Sequence, residues 1–326
     1  MKILETYKDS YGNKRQELID LGFEFYYEKE KDIDFKPYME DIEIIMCYNI
    51  FNKIDIRRFK KLKWIQLYSV GIDQISQEIA DYIKEKNILL TNNKGGYSIP
   101  IGEWIVMNML LLSREIPGYF EKKRERRWAI SYDAIELYGK KAVLLGTGGI
   151  AQEAAKRLKP FQLEIIGVNT DGRKISCFDY CYSIEELKVA VAQGDFVVNV
   201  LPFTESTDGI INREVFDAMK KEAYFINVSR GKTVVEEELI KALEQGRLKG
   251  AALDVFEKEP LPKESALWKL NNVIITPHSS WVSQNGYLRR GELFYKNLKG
   301  FNDLVKGKAD NPKEVLTNIV DFNKGY

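Results

Sequence analysis

Between residues 142 and 276 the chain carries continuous apolar runs at 142–145, 164–168, 196–201, 223–228, 250–256 and 273–276, separated by polar, helix-compatible segments. A strand covered by helices on both faces has no solvent face, so its apolar residues run on rather than alternate. Parallel neighbours also need long crossovers, usually helical, which restricts such a region to an α/β architecture. A weaker series with the same rhythm, at 23–27, 42–47, 64–68 and 88–91, precedes it. A length of 326 residues exceeds the usual size of one domain, so two successive α/β sheets are expected.

The two series are separated by an apolar stretch over residues 104–112, interrupted by Asn108 and preceded by Ser98 and Pro100. It is far short of the roughly 20 residues needed to span a bilayer. Its apolar residues continue nearly all the way round a helix, which predicts a helix buried on several sides. The charged run that follows, 121–127, mixes both signs and reads as a solvated helix end rather than a nucleic-acid patch. Near the end, Phe294, Leu298, Phe301 and Val305 stand at helical spacing and call for a packing partner.

Directly after the run at 142–145 stands Gly146-Thr147-Gly148-Gly149-Ile150-Ala151, then a helical pattern with Ile150, Ala154 and Leu158 on one face, stopping at Pro160. Strand, glycine loop, helix and strand in this order form the setting of a dinucleotide-binding loop. Gly146 would permit the tight turn, Gly148 the approach of a pyrophosphate, and Ala151 close packing of helix on sheet, with the helix N–H groups facing the phosphates. A plain strand-to-helix turn and a methyl-donor nucleotide site are the alternatives. At the end of the next run, where an acid would bind the adenosine ribose of NAD, the chain has neutral Asn169 and then Thr170, Asp171 and Arg173. Arg173 offers a fork for a 2′-phosphate, which favours NADP, while Asp171 could return to a ribose and leaves NAD open.

The chain has one histidine, His278, so no site with two imidazoles forms within it, and no metal is expected. Cys47, Cys177 and Cys181 are too scattered for a disulfide framework and fit a reducing compartment. The opening ten residues lack an apolar core for a targeting signal, so a cytoplasmic protein is expected. Lys plus Arg number 49 against 48 Asp plus Glu, which provides no net field for nucleic acid or a membrane and suits a small-molecule partner.

His278 follows the run at 273–276, Arg230 follows 223–228, and Glu257 and Glu259 follow 250–256, which contains Asp254. The carboxyl ends of parallel strands share one edge, the edge on which a glycine loop holds its nucleotide. The set suits hydride transfer to a carbonyl: His278 as general acid in reduction and base in oxidation, a glutamate stabilising its cation, and Arg230 polarising the carbonyl and binding a carboxylate. Asp254 needs a partner if buried, and reads as a supporting group. Tyr48, Tyr97 and Trp281 are either pocket walls or core aromatics.

Taken together, Gly146 to Ala151, Leu201-Pro202-Phe203-Thr204, Asn227-Val228-Ser229-Arg230-Gly231, Leu253-Asp254-Val255-Phe256 with Glu259-Pro260, and Thr276-Pro277-His278 resemble the D-isomer-specific 2-hydroxyacid dehydrogenases. The resemblance covers essentially the whole chain. It implies catalytic roles for Arg230, Glu259 and His278, with Glu259 rather than Glu257 as the partner of His278. It places cofactor contacts at Gly146, Thr147, Gly148, Gly149, Ile150, Asn169, Thr170, Arg173, Leu201, Pro202, Thr204, Val228 and Asp254. It also makes the backbone of Val70 and Gly71, in Ser69-Val70-Gly71-Ile72-Asp73, a binder of the substrate carboxylate beside Arg230 and His278. The implied architecture is a Rossmann-type NAD(P)-binding domain, 100–279, inserted into a flavodoxin-like substrate domain, 1–99 with 280–326, with hinges near 98–101 and 278–282. The closing helix would return to the first domain, and residues 101–112 would lie at a homodimer interface.

The implied activity is interconversion of a 2-keto acid and a D-2-hydroxy acid, with hydroxypyruvate, glyoxylate or a phosphoglycerate-like acid as substrate. The alternative is a non-catalytic NAD(P)-sensing regulator on the same fold. Two departures from the family pattern stand out: Ala151 replaces a third glycine, and Asn169 replaces the acidic ribose anchor. Family members acting on phosphoglycerate often carry an added C-terminal regulatory domain, whereas this sequence stops at Tyr326, so such a role would be expected to lack that control.

Overall fold

The structure, a computed structural model, describes residues 1–7 and 11–322; part of the leading segment read for targeting signals, 8–10, and the last four residues lie outside the described residues. The chain divides into two compact units, Met1–Gly96 with Ser283–Tyr326, and Tyr97–Val282. These breaks fall after Gly96 and Val282, three residues from the boundaries at 99 and 279 read from the sequence.

The first unit opens with β1 (Lys2–Glu5), α1 (Arg15–Asp20), β2 (Glu24–Tyr27), β3 (Ile44–Cys47), β4 (Trp64–Leu67), α2 (Gln77–Glu85) and β5 (Leu89–Thr91). The strands pair in parallel in the order β2-β1-β3-β4-β5, the flavodoxin-like arrangement. Ile44 and Met46 pack on one face of the sheet with Ile3 and Trp64, and Ile45 and Cys47 on the other with Leu4 and Ile65. Burial of both faces explains the continuous apolar runs. Strand β1 was absent from the sequence reading, because only Ile3 and Leu4 lie between Lys2 and Glu5, too short a run to register; both are fully buried.

The second unit contains α3 (Ser98–Ser113), α4 (Ile116–Arg124), β6 (Lys141–Leu145), α5 (Gly149–Leu158), β7 (Glu164–Asn169), β8 (Tyr180–Ser183), α6 (Leu187–Val191), β9 (Phe196–Asn199), α7 (Arg213–Ala218), β10 (Ala223–Asn227), α8 (Glu236–Glu244), β11 (Leu248–Leu253) and β12 (Val273–Ile275). Its seven strands run in the order β12-β11-β10-β9-β6-β7-β8, every pair parallel. The strand order reverses between β6 and β9, the switch point at which a doubly wound sheet opens a crevice at its carboxyl edge. Strand β8, also missed, is a partly exposed edge strand with Tyr180 in solvent, so it lacks the apolar run of a covered strand. Strand β11 ends at Leu253, so Asp254 follows the strand and does not lie within it. Helix α3 is buried over most of its surface, but Met107 is exposed.

After Val282 the chain returns to the first unit through α9 (Gly286–Val305) and α10 (Pro312–Val315). Phe294 packs on Tyr68 and Phe301 on Trp64 at ring separations of 5.2 and 5.1 Å. Between them the fully buried Asn297 donates to Gln66 Oε1, which also accepts from Thr91, so a polar contact inside an apolar interface sets the helix's register. Val305 was expected on this stripe, but it ends the helix and is half exposed. Phe294→Ala should therefore cost about 3–5 kcal/mol in denaturant unfolding, and Val305→Ala less than about 0.5 kcal/mol.

Candidate active site

The glycine loop links β6 to α5. Gly146 has φ +101°, and a Cβ there would lie 2.9 Å from the Val200 carbonyl oxygen after β9, so the protein itself requires glycine. Gly148 differs: a Cβ would meet nothing within 4 Å, and its φ of −72° suits any residue. No neighbour in the protein asks for a glycine at 148, whereas a phosphate laid against the loop would. Helix α5 begins at Gly149 with no acidic residue in its first turn, so nothing offsets its N-terminal partial charge. The Thr147 side chain is buried toward β7, where a Cβ on Gly167 would reach its methyl at 2.7 Å, and its carbonyl accepts from Gln152 Nε2 at 2.9 Å, so its N–H is the group to face a ligand. The segment Gly146 to Ile150 thus fits a dinucleotide pyrophosphate.

At the end of β7 the Asn169 side chain is nearly buried and serves its own loop: Nδ2 donates to the Arg173 carbonyl at 2.9 Å and Oδ1 accepts from the Asp171 N–H at 3.4 Å. Read from the sequence as a group facing the cofactor, it holds the loop that presents Thr170, Asp171 and Arg173, all exposed. The Asp171 and Arg173 side chains are 2.7 Å apart. Desolvation pushes the Asp171 carboxyl up, but hydrogen bonds from Arg173 outweigh it and hold it below the ordinary range.

The ends of β9 and β10 are joined by a buried polar network that the sequence reading missed. Asn199 Nδ2 donates to Asn227 Oδ1 at 3.0 Å and to Thr233 Oγ1 at 2.7 Å, and Asn199 Oδ1 accepts from the Leu201 N–H. Thr233 Oγ1 donates to the Arg230 carbonyl at 2.7 Å, and Ser229 Oγ to the Leu201 carbonyl. One set of amides thereby fixes both the loop with Leu201, Pro202 and Thr204 and the segment with Val228 and Arg230. The available signal was an asparagine inside each apolar run, since a buried amide must find partners. Gly231 presses against the chain after β11: a Cβ would fall 1.8 Å from the Phe256 carbonyl carbon. Arg230 and Glu259 therefore stand on neighbouring loops.

His278 Nδ1 lies 2.8 Å from Glu259 Oε2, and the other oxygen of Glu259 accepts the Phe256 N–H at 3.0 Å. Glu257 instead projects into solvent. Burial pushes the Glu259 carboxyl up, but hydrogen bonds from His278 and Phe256 and the charges of His278 and Arg230 outweigh it, leaving it below the ordinary range. The ionised carboxylate can only accept, so Nδ1 of His278 carries the proton and Nε2 is the atom left for chemistry. Asp254, fully buried, accepts from Thr276 Oγ1 at 2.5 Å and from the N–H groups of Ser279 and Ser280 at 2.8 and 3.0 Å, while its carbonyl takes the His278 N–H at 2.8 Å. All of these contacts go to the histidine turn. In the first unit, Ser69 Oγ and Asn92 Nδ2 hold the carbonyls of Gly71 and Val70 at 2.8 Å each, bracing the loop after β4. Among the described residues no cluster of three or more His, Cys, Asp or Glu forms a metal site.

Residues 106–280 match the NAD binding domain of D-isomer specific 2-hydroxyacid dehydrogenases. The chain is 34% identical over 246 residues to the D-3-phosphoglycerate dehydrogenase of Methanocaldococcus jannaschii, covering 75% of this chain but only 46% of that protein. It is 32% identical to the glyoxylate reductase of Pyrococcus horikoshii over 84% of each chain. A solved D-isomer specific 2-hydroxyacid dehydrogenase family protein of Aeromonas salmonicida superposes with a TM-score of 0.80, at 29% identity, covering 98% of this chain and 99% of that one. The chain belongs to the D-isomer specific 2-hydroxyacid dehydrogenase family, NAD(P)-dependent oxidoreductases that carry a hydride between a nicotinamide and a 2-keto or 2-hydroxy acid.

The two glycines of the loop separate protein stability from cofactor binding. Gly148→Ala should change unfolding stability by less than about 1 kcal/mol yet weaken NAD(P)H binding about tenfold or more. Gly146→Ala should cost about 1–3 kcal/mol in stability from its backbone conformation alone. Denaturant unfolding and cofactor fluorescence titration of both variants measure the contrast.

Proposed function

We propose that the protein reduces a small 2-keto acid, of the glyoxylate or hydroxypyruvate kind, to its D-2-hydroxy acid, using Arg230, Glu259 and His278. The observation that carries this reading is the 2.8 Å contact between His278 Nδ1 and Glu259 Oε2, on the strand edge that also bears the glycine loop and Arg230. When bound, a nicotinamide cofactor would supply the hydride. The chain's own groups do the rest. Arg230 draws electron density from the keto oxygen and pairs with the substrate carboxylate. His278 releases the Nε2 proton to the oxygen as the carbon takes the hydride, and Glu259 stabilises the imidazolium until then. In the first unit, the backbone N–H groups of Val70 and Gly71 are proposed as carboxylate binders, on a loop that Ser69 and Asn92 brace.

Cofactor contacts are proposed at Gly146 to Ile150 and along Thr170, Arg173, Leu201, Pro202, Thr204 and Val228. NADP is favoured over NAD, because β7 ends in a neutral Asn169 and Arg173 is exposed beside it. The same proposal includes a cytoplasmic location, which the three free cysteines suit. It also includes a homodimer formed over the groove of about 760 Å³ lined by Val106, Met107, Leu110, Leu111 and Phe161. No helix among the described residues is long and apolar enough to cross a membrane.

The deciding experiment mixes the purified protein with NADPH or NADH and a panel of 2-keto acids. Oxidation of the cofactor by glyoxylate or hydroxypyruvate is expected, faster with NADPH, and His278→Gln should lower kcat by about 10²–10⁴-fold with little change in cofactor affinity. Tight cofactor binding without turnover on any acid would point instead to a nucleotide-sensing regulator. A separate pH test addresses Glu259. Its carboxylate favours the imidazolium, so Glu259→Gln should move the alkaline limb of the reductive kcat/KM profile to lower pH.

A further inference from the structure

We propose that Trp281 is a positioning residue for the acid–base histidine: its indole N–H fixes the peptide that carries His278, an inference that rests on the role of His278 proposed above. His278 has φ +50°, a left-handed conformation uncommon outside glycine, which histidine enters more readily than most residues. Its N–H donates to the carbonyls of Asp254 and Thr276 at 2.8 and 3.0 Å. The peptide between His278 and Ser279 is clamped on both edges. Its N–H, from Ser279, donates to Asp254 Oδ1 at 2.8 Å, and its C=O accepts from Trp281 Nε1 at 2.8 Å. Asp254 alone would act as a pivot about which that peptide can tilt; the second contact opposite removes the rotation. The orientation of this peptide sets the direction of the His278 side chain, and so the line from Nδ1 to Glu259 and from Nε2 to the substrate oxygen.

Two further observations separate this role from ordinary packing. Trp281 is 37% exposed, so burial alone does not account for a large aromatic in a surface turn. Its indole is steadied by the ring of Tyr97, centroids 5.5 Å apart, and Tyr97 is itself buried at the start of α3. The anchor therefore comes from a helix end rather than from the turn itself.

The test uses Trp281→Phe, which keeps a ring against Tyr97 and removes the donor, with Val282→Ala at an exposed neighbour as control. Trp281→Phe should lower kcat about tenfold to a hundredfold, leave KM for the keto acid and the Kd for NADPH within about twofold of wild type, and move the alkaline limb of the pH profile to lower pH, because a loosened imidazole loses its hold on Glu259. The single histidine permits a direct check in the cofactor-free protein. The titration midpoint of its imidazole C2 proton, followed by NMR, should fall in Trp281→Phe and stay in place in Val282→Ala. Wild-type kcat and an unmoved titration in Trp281→Phe would overturn the proposal. So would a rise in KM alone, which assigns Trp281 to the substrate wall, or a fall in kcat with an unmoved titration. Absence of keto-acid turnover in the wild type would count against the functional reading, and the NMR comparison would still decide the positioning role.

Discussion

The site depends on one fully buried carboxylate. Removing a carboxylate from water costs several kcal/mol unless its oxygens are met by donors. Asp254 stands just past β11, and a hydroxyl and two N–H groups from the chain after β12 converge on it. None of these donors can leave without exposing that cost, so the turn from Thr276 to Ser280 has little freedom. His278 sits in the middle of it, and the carbonyl of Asp254 takes the histidine's own N–H. The adjacent strands β11 and β12 thus hold the turn that carries His278, the residue proposed to transfer the proton, through a buried contact.

A second carboxylate a few residues on behaves differently because its surroundings differ. Glu259 is partly exposed and accepts from only one backbone N–H, so its remaining oxygen is available to an imidazole. Charge from His278 and Arg230 keeps it ionised, and its being ionised in turn dictates which nitrogen of His278 bears the fixed proton. Asp254 shapes the backbone and Glu259 sets the tautomer; exchanging their burial would disable both roles.

Much of this was legible in the sequence, and what was not has physical causes. The covered strands announced themselves because both faces are buried, as the paired cores on either side of β3 show. Strand β1 was too short and β8 too exposed to leave the same trace. The ends of the runs were overextended, because apolar residues such as Val255 and Phe256 stay buried after the strand has ended, and this placed Asp254 inside β11. Residue types alone left Glu257 and Glu259 open. The distinction lies in how the loop folds back, with the Phe256 N–H donating to the side chain three residues on. The bridge of Asn199, Asn227 and Thr233 depends on which strands are neighbours, and β9 joins β10 across a long crossover that spacing does not reveal. Asn169 was placed correctly at the end of β7, but the direction of its side chain is decided by a local bond to the Arg173 carbonyl.

The glycine loop shows why a motif and a structure carry different information. In the sequence Gly146 and Gly148 are equivalent letters of one pattern. In the fold they separate: the first is required by its own backbone and by Val200, the second by nothing in the protein. A glycine that no neighbour requires, at the start of a helix with no acid in its first turn, leaves room for an anion outside the chain. The loop follows β6 and leans on the chain after β9, the two strands that flank the switch point. The buried amide of Asn199 braces both the segment of Arg230 and the Leu201 loop, so a change at Asn199 would disturb the proposed cofactor loop and the proposed carbonyl-binding arginine together.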